Sequence, residues 1–141
     1  MGFALSITVS PEDIDGNGHM NQAVYLQYAE RARWACLREG GLSQEKLLDA
    51  GVGPISLRVT LEFKQELFVG DEVTVTCDFA WDGKTHQTIQ EIRKADGTVS
   101  AEIVGVGGLL DLTERRLVPD AARYFRDLAE DPTVFGLGRS A

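Results

Sequence analysis

The sequence predicts an α+β domain in which an antiparallel sheet curls around one long helix, and three observations predict it. Residues 22–39 contain no glycine or proline, and their apolar side chains recur at helical spacing around most of the circumference; a helix apolar nearly all round is a buried one. Downstream, Leu57, Val59, Leu61 and Phe63 alternate with Arg58, Thr60, Glu62 and Lys64, and Val73, Val75, Cys77 and Phe79 with Thr74, Thr76 and Asp78. That strict period of two marks half-buried strands. Asp82-Gly83 and Asp96-Gly97 then supply tight turns, so the last strands run as a meander. A single sheet buries a helix of this length by curving over it.

The elements follow in order. Residues 3–10 alternate as a first strand, and residues 11–21 form a turn-rich segment with two glycines and several Asx residues. Asn21 caps the long helix and Gly40-Gly41 stops it. A short helix spans residues 43–50 with Ser43 as its cap. Strands follow over 57–64, 73–79, 84–95 and 98–112, the last with Gly105, Gly107 and Gly108, which indicate a bulge or a close backbone approach. Pro119 opens a helix over 120–129. Residues 1–135 form a single domain and residues 136–141 a loose tail. The first strand pairs with a later one that spacing alone does not identify.

Composition narrows the function. The chain has 141 residues, 43% apolar and 26% charged, the proportions of an ordinary globule with room for a real core. Its 14 Lys+Arg against 22 Asp+Glu give a net charge of −8. That balance argues against nucleic acid and against electrostatic membrane binding, since both need a basic surface. No apolar run reaches the roughly 18 residues of a membrane span, and no basic segment precedes an apolar one at the N-terminus, so the expected location is cytoplasmic. Cys36 and Cys77 sit inside apolar patterns and read as free, buried thiols.

The chemistry concentrates in Glu12-Asp13-Ile14-Asp15-Gly16-Asn17-Gly18-His19-Met20-Asn21. A calcium loop would need a bidentate glutamate where Val24 stands, so calcium is rejected. Taken singly, these residues are turn formers and a helix cap. Together, Asp15, Asn17 and His19 are spaced by two, which in extended backbone places them on one face. The helix N-terminus that follows offers free N–H groups to a carbonyl oxygen. A carboxylate, a histidine and an oxyanion site are the parts of acyl transfer to water. No metal set accompanies them, because the second histidine, His86, lies in a separate strand.

The stretch from Asp13 to Arg33 resembles the signature of hotdog-fold acyl thioesterases of the 4-hydroxybenzoyl-CoA thioesterase type, D-x-D-x-x-x-H-x-N-N-x-x-Y-x-x-Y-x-E-x-A-R. It departs from that pattern at Gln22, where a second Asn is common. The resemblance implies the hotdog fold over essentially the whole chain. It implies Asp15 as the catalytic carboxylate, nucleophile or general base, with the backbone N–H of Gln22 or Ala23 binding the substrate carbonyl. The loop is also similar to that of plant acyl-ACP thioesterases, D-x-N-x-H, and Phe63-Lys64-Gln65-Glu66-Leu67 resembles their Y-R-R-E-C segment. By that analogy Asn17 and His19 position substrate and water and Glu66 assists the water, while Leu67 in place of the cysteine removes a thiol from the mechanism.

The resemblance therefore implies hydrolysis of an acyl thioester, most simply acyl-CoA, with no cofactor beyond the coenzyme A of the substrate. It also implies a homodimer or homotetramer. The alternatives are an acyl carrier protein substrate and a non-catalytic acyl-binding protein on the same fold. Lys64, Lys84, Arg93 and Lys94 are the candidates to meet the phosphates of coenzyme A.

Overall fold

The computed structural model describes residues 2–138. The chain runs β1 (Phe3–Thr8), α1 (Gln22–Glu39), α2 (Gln44–Asp49), β2 (Val52–Phe63), β3 (Glu72–Asp82), β4 (Thr85–Lys94), β5 (Val99–Asp111), β6 (Arg116–Leu117) and α3 (Ala121–Leu128), with short 3-10 turns at Pro11–Asp13 and Pro132–Phe135. The sheet has the order β1-β3-β4-β5-β2, and β6 pairs with β5. All pairings are antiparallel.

Helix α1 begins where Asn21 caps it: the Asn21 side chain accepts from Ala23 N–H. The sheet curls over it. Val24, Tyr25, Tyr28, Ala29 and Ala32 pack against Val73 and Val75 of β3, Ile92 of β4, and Ala101 and Ile103 of β5. Ala29 and Ala32 are fully enclosed; their small side chains let helix and sheet approach closely. A second core at the far end joins Cys36 and Leu37 to Leu42, Leu47, Leu109, Phe125 and Phe135. There Trp81 Nε1–H donates to the Phe135 carbonyl at 2.8 Å. Truncating the enclosed Phe125 to Ala would cost about 3–5 kcal/mol. Cys36 and Cys77 are free and buried in this core.

The meander β3-β4-β5 is as expected, and β1 lies at one edge against β3. Strand β2 lies at the other edge, paired with β5 rather than with its sequence neighbour β3. The glycines of β5 face close neighbours. A Cβ on Gly107 would stand 2.7 Å from the Ile55 carbonyl, and one on Gly105 2.8 Å from Thr88 Oγ1. Opposite Gly107 and Val106, the register of β2 shifts between Ser56 and Arg58. Gly136 closes a turn with φ of 72°, and Leu137 is buried in the second core. Residues 139–141 lie outside the described residues.

Candidate active site

The segment before α1 is a tight turn, as its composition indicates, so Asp15, Asn17 and His19 do not share a face through extended backbone. Ile14 pairs with Met20 across it. Asp15 N–H donates to the His19 carbonyl and Gly18 N–H to the Asp15 carbonyl, each at 3.1 Å. Gly18 takes a φ of 85°, in the left-handed region that favours glycine. Asp15 Oδ1 accepts from Asn17 N–H at 2.8 Å, an Asx turn. Asp15, Asn17 and His19 still line one cavity, brought there by the turn rather than by strand periodicity.

Two anchors hold the turn. Asp13 Oδ2 accepts from Tyr28 Oη at 2.5 Å, from Ser10 N–H at 3.2 Å and from Ser10 Oγ at 3.1 Å. Burial pushes the Asp13 carboxyl up, but these hydrogen bonds and the Arg31 charge outweigh it and hold the group below its ordinary value. The first aspartate of the signature therefore fastens the turn to α1. Burial, then the Asp13 contact, drives the Tyr28 hydroxyl the other way, far above its ordinary value. The second anchor is Met20 N–H, which donates to the Leu67 carbonyl at 2.8 Å. Met20 and Leu67 are both buried, so this bond ties the turn to the segment leaving β2.

That tie puts Glu66 beside His19. His19 Nδ1–H donates to Glu66 Oε1 at 2.6 Å, while Nε2 lies 3.9 Å from Asp15 Oδ2. The imidazole thus sits between two carboxylates. The Glu66 hydrogen bond raises its pKa most, burial works against that, and the charges of Asp15 and Glu66 add to the rise. Asp15 and His19 are partly shielded, and Glu66 stands open to solvent.

The cavity is ≈ 430 Å³ and is further lined by Met20, Gln22, Tyr25, Phe63, Lys64 and Gln65. Tyr25 meets Phe63 edge-on, with ring centroids 4.9 Å apart. At its base is the α1 N-terminus. Ala23 N–H is engaged by its own cap at 2.9 Å, so it is not a free donor. Gln22 N–H has no hydrogen-bond partner among the described residues, and Gln22 lines the cavity, so its N–H is the unengaged donor at the positive end of the helix dipole. Of the four basic candidates, Lys64 lines the cavity and pairs with Glu102 at 3.6 Å, and Lys94 Nζ donates to the Glu66 carbonyl at 3.4 Å and lies 3.9 Å from Asp71 Oδ2. Arg93 is paired with Glu91 at 2.6 Å, and Lys84 lies in the β3–β4 turn. Spacing did not reveal Tyr28 as an anchor or Tyr25 as a wall, although both are tyrosines of the signature.

The pattern of the thioesterase-like superfamily matches residues 9–127. In fold the chain is similar to a 1,4-dihydroxy-2-naphthoyl-CoA thioesterase from Synechocystis, at 21% identity and a TM-score of 0.77, covering 83% of this chain and 88% of that one. It is similar to a hypothetical protein from Staphylococcus aureus in complex with CoA, at 25% identity and a TM-score of 0.78, covering 83% and 75%. It is also similar to a DHNA-CoA thioesterase from Staphylococcus aureus, at 17% identity and a TM-score of 0.79, covering 88% and 83%. No curated protein matches the chain in sequence.

Proposed function

The chain belongs to the thioesterase-like superfamily, and from that premise we propose that it hydrolyses an acyl-CoA thioester with Asp15 as the reacting carboxylate. One observation carries the reading: Asp15 and Gln22, whose N–H is unengaged among the described residues, line the same cavity. The thioester carbonyl oxygen sits on Gln22 N–H, which stabilises the negative charge that develops there. Asp15 acts on the carbonyl carbon in one of two ways. As general base it takes a proton from water, and the hydroxyl adds to the carbonyl. As nucleophile it forms an anhydride that water then opens. In both, the C–S bond breaks, the acyl group leaves as a carboxylic acid, and the coenzyme A thiolate takes up a proton. His19, held by Glu66, orients the water and steadies the charge on Asp15; Asn17 borders the same water. No cofactor is needed, because a thioester is already an activated acyl group.

Lys64 and Lys94 give the otherwise acidic chain local positive charge for the phosphates of coenzyme A. A homodimer or homotetramer belongs to the same proposal. Strand β2 is a twelve-residue edge, and Leu57, Val59 and Phe63 on it are 49%, 43% and 50% exposed. A long apolar edge of that kind invites strand pairing with a second copy.

The test is free-thiol release from acyl-CoAs ranging from acetyl to palmitoyl, with aromatic esters included, run beside Asp15→Asn. The substitution keeps the side-chain shape and the oxygen that accepts from Asn17 N–H. The expected result is turnover that falls at least about a hundredfold, the scale of a lost base or nucleophile. Turnover confined to acyl carrier protein esters would replace the substrate class. Turnover unchanged in Asp15→Asn would overturn the mechanism, and none on any thioester would leave an acyl-binding protein.

A further inference from the structure

A second chamber lies between α1 and the strands β2, β4 and β5, apart from the Asp15 cavity; the two share no lining residue. Its volume is ≈ 180 Å³. An engineered apolar cavity of about 150 Å³ holds a benzene ring, so this chamber accepts a ring of that size. Trp34, Phe79 and Phe125 supply apolar walls. Five polar side chains also line it, Glu30, Arg33, Ser56, Thr88 and His86; of these, Arg33 lacks a close counter-charge and His86 lacks a hydrogen-bond partner among the described residues.

The first is Arg33. One of its N–H groups donates to Gln90 Oε1 at 3.3 Å, and Gln90, itself buried, donates to the Ala29 carbonyl at 3.0 Å. Gln90 thus holds the guanidinium in place. No carboxylate approaches Arg33 within 4.0 Å among the described residues. Glu30, which is exposed and also lines the chamber, contributes only a longer-range attraction. A half-buried cation without a close counter-charge is a poor arrangement unless something else supplies one.

The second is His86, which is 7% exposed. Among the described residues neither ring nitrogen has a hydrogen-bond partner, and Nδ1 is enclosed. Burial, then the Arg33 charge, holds the imidazole down at about 4, so at neutral pH it carries one N–H. An enclosed lone pair is the less costly orphan, which leaves the proton on Nε2. Nε2 is not enclosed in that way, and it lies 3.7 Å from where a Cβ on Gly107 would stand, an ordinary contact distance.

We infer that the chamber around Arg33 and His86 binds a small ring bearing a carboxylate, its anionic oxygens taken by the guanidinium and by His86 Nε2–H. The inference stands apart from the thioester reading, because binding is read without turnover. Two sources share this chemistry: a free aromatic acid, and the far end of an acyl group that carries a second carboxylate.

The test uses benzoate as the probe, with benzyl alcohol as its neutral counterpart, followed by ¹⁵N NMR of the histidine rings. The expected result is saturable benzoate binding that shifts the His86 nitrogens and leaves His19 unmoved. Benzyl alcohol binds at least tenfold more weakly, and a folded Arg33→Met binds benzoate at least tenfold more weakly. His86→Phe, checked by its melting curve, also loses the benzoate response, which guards against an Arg33 variant that fails to fold. No saturable binding, equal binding of benzyl alcohol, or unchanged affinity in a folded Arg33→Met would each overturn the inference. If benzoate binds and competes with the best thioester, the carboxylate belongs to an acyl group; if it binds without competing, the ligand is a free acid.

Discussion

Tyr28→Phe removes one hydroxyl and nothing else from the enclosed face of α1, and its cost should depend on pH. In the native protein that hydroxyl donates to Asp13 Oδ2 at 2.5 Å. A hydrogen bond to a charged group contributes about 1.5–3 kcal/mol. Asp13 keeps its two bonds from Ser10 and some access to water, so the lower part of the range applies, about 1.5–2 kcal/mol. For a chain of this size that corresponds to a fall in Tm of about 3–6 °C at pH 7. Burial pushes the Asp13 carboxyl up but the hydrogen bonds prevail, so its folded pKa lies below its ordinary value of 3.8. A group depressed on folding contributes stability above its unfolded pKa and loses it as pH falls through the folded one. The charge-assisted share of the Tyr28 bond should therefore vanish in acid. Urea denaturation of native and variant proteins at pH 7 and at pH 3 measures this. The difference between them should be smaller at the lower pH. An equal difference at both would refute the assignment of Asp13 as the charged partner, and a difference below about 0.3 kcal/mol at pH 7 would refute the anchor itself.

Three further expectations follow from the same geometry. Glu66→Gln withdraws the main cause of the raised His19 pKa, so the group returns toward 6.5. The His19–Glu66 pairing is complete below that ordinary value and is lost as pH rises through the raised one, so the histidine limb of a kcat/KM profile should move to lower pH, and a limb that stays put would remove Glu66 from the site. Asn21→Ala deletes the cap on Ala23 N–H and should cost about 1 kcal/mol, read as a fall of about 3 °C in Tm. Val59→Lys places a charge in the exposed apolar edge of β2 and should yield monomers by light scattering where the native chain gives dimers or larger species.

Much of the fold was legible because its signals are local. The α1 boundaries follow from Asn21, which caps through its side chain, and from Gly40, and the hairpins follow from Asp82-Gly83 and Asp96-Gly97. The place of β2 was not legible, since its partner β5 lies some forty residues away and only closure of the sheet decides it. At the site, Asp15, Asn17 and His19 were identified as a set, but the reason given for their convergence was the wrong geometry: Gly18 and the Asx turn of Asp15 fold the segment back on itself. Glu66 was reached through resemblance. Its contact with His19 spans 47 residues and leaves no trace in spacing. Ala23 and Gln22 were indistinguishable as donors until the cap was located, because a capping side chain satisfies one N–H and leaves its neighbour free.

The bond from Met20 N–H to the Leu67 carbonyl also has a bearing on time. It joins two stretches of irregular chain, one ahead of α1 and one between β2 and β3. Neither stretch is held by a sheet ladder of its own, so both belong to the less stable part of the molecule. During folding the long-range pairings of β2 must form before Glu66 comes within reach of His19, and such pairings are late events. The reacting ensemble is therefore the last part to assemble and the first to come apart. In rising denaturant, catalysis should disappear while the packed helix and meander still give a native circular dichroism signal.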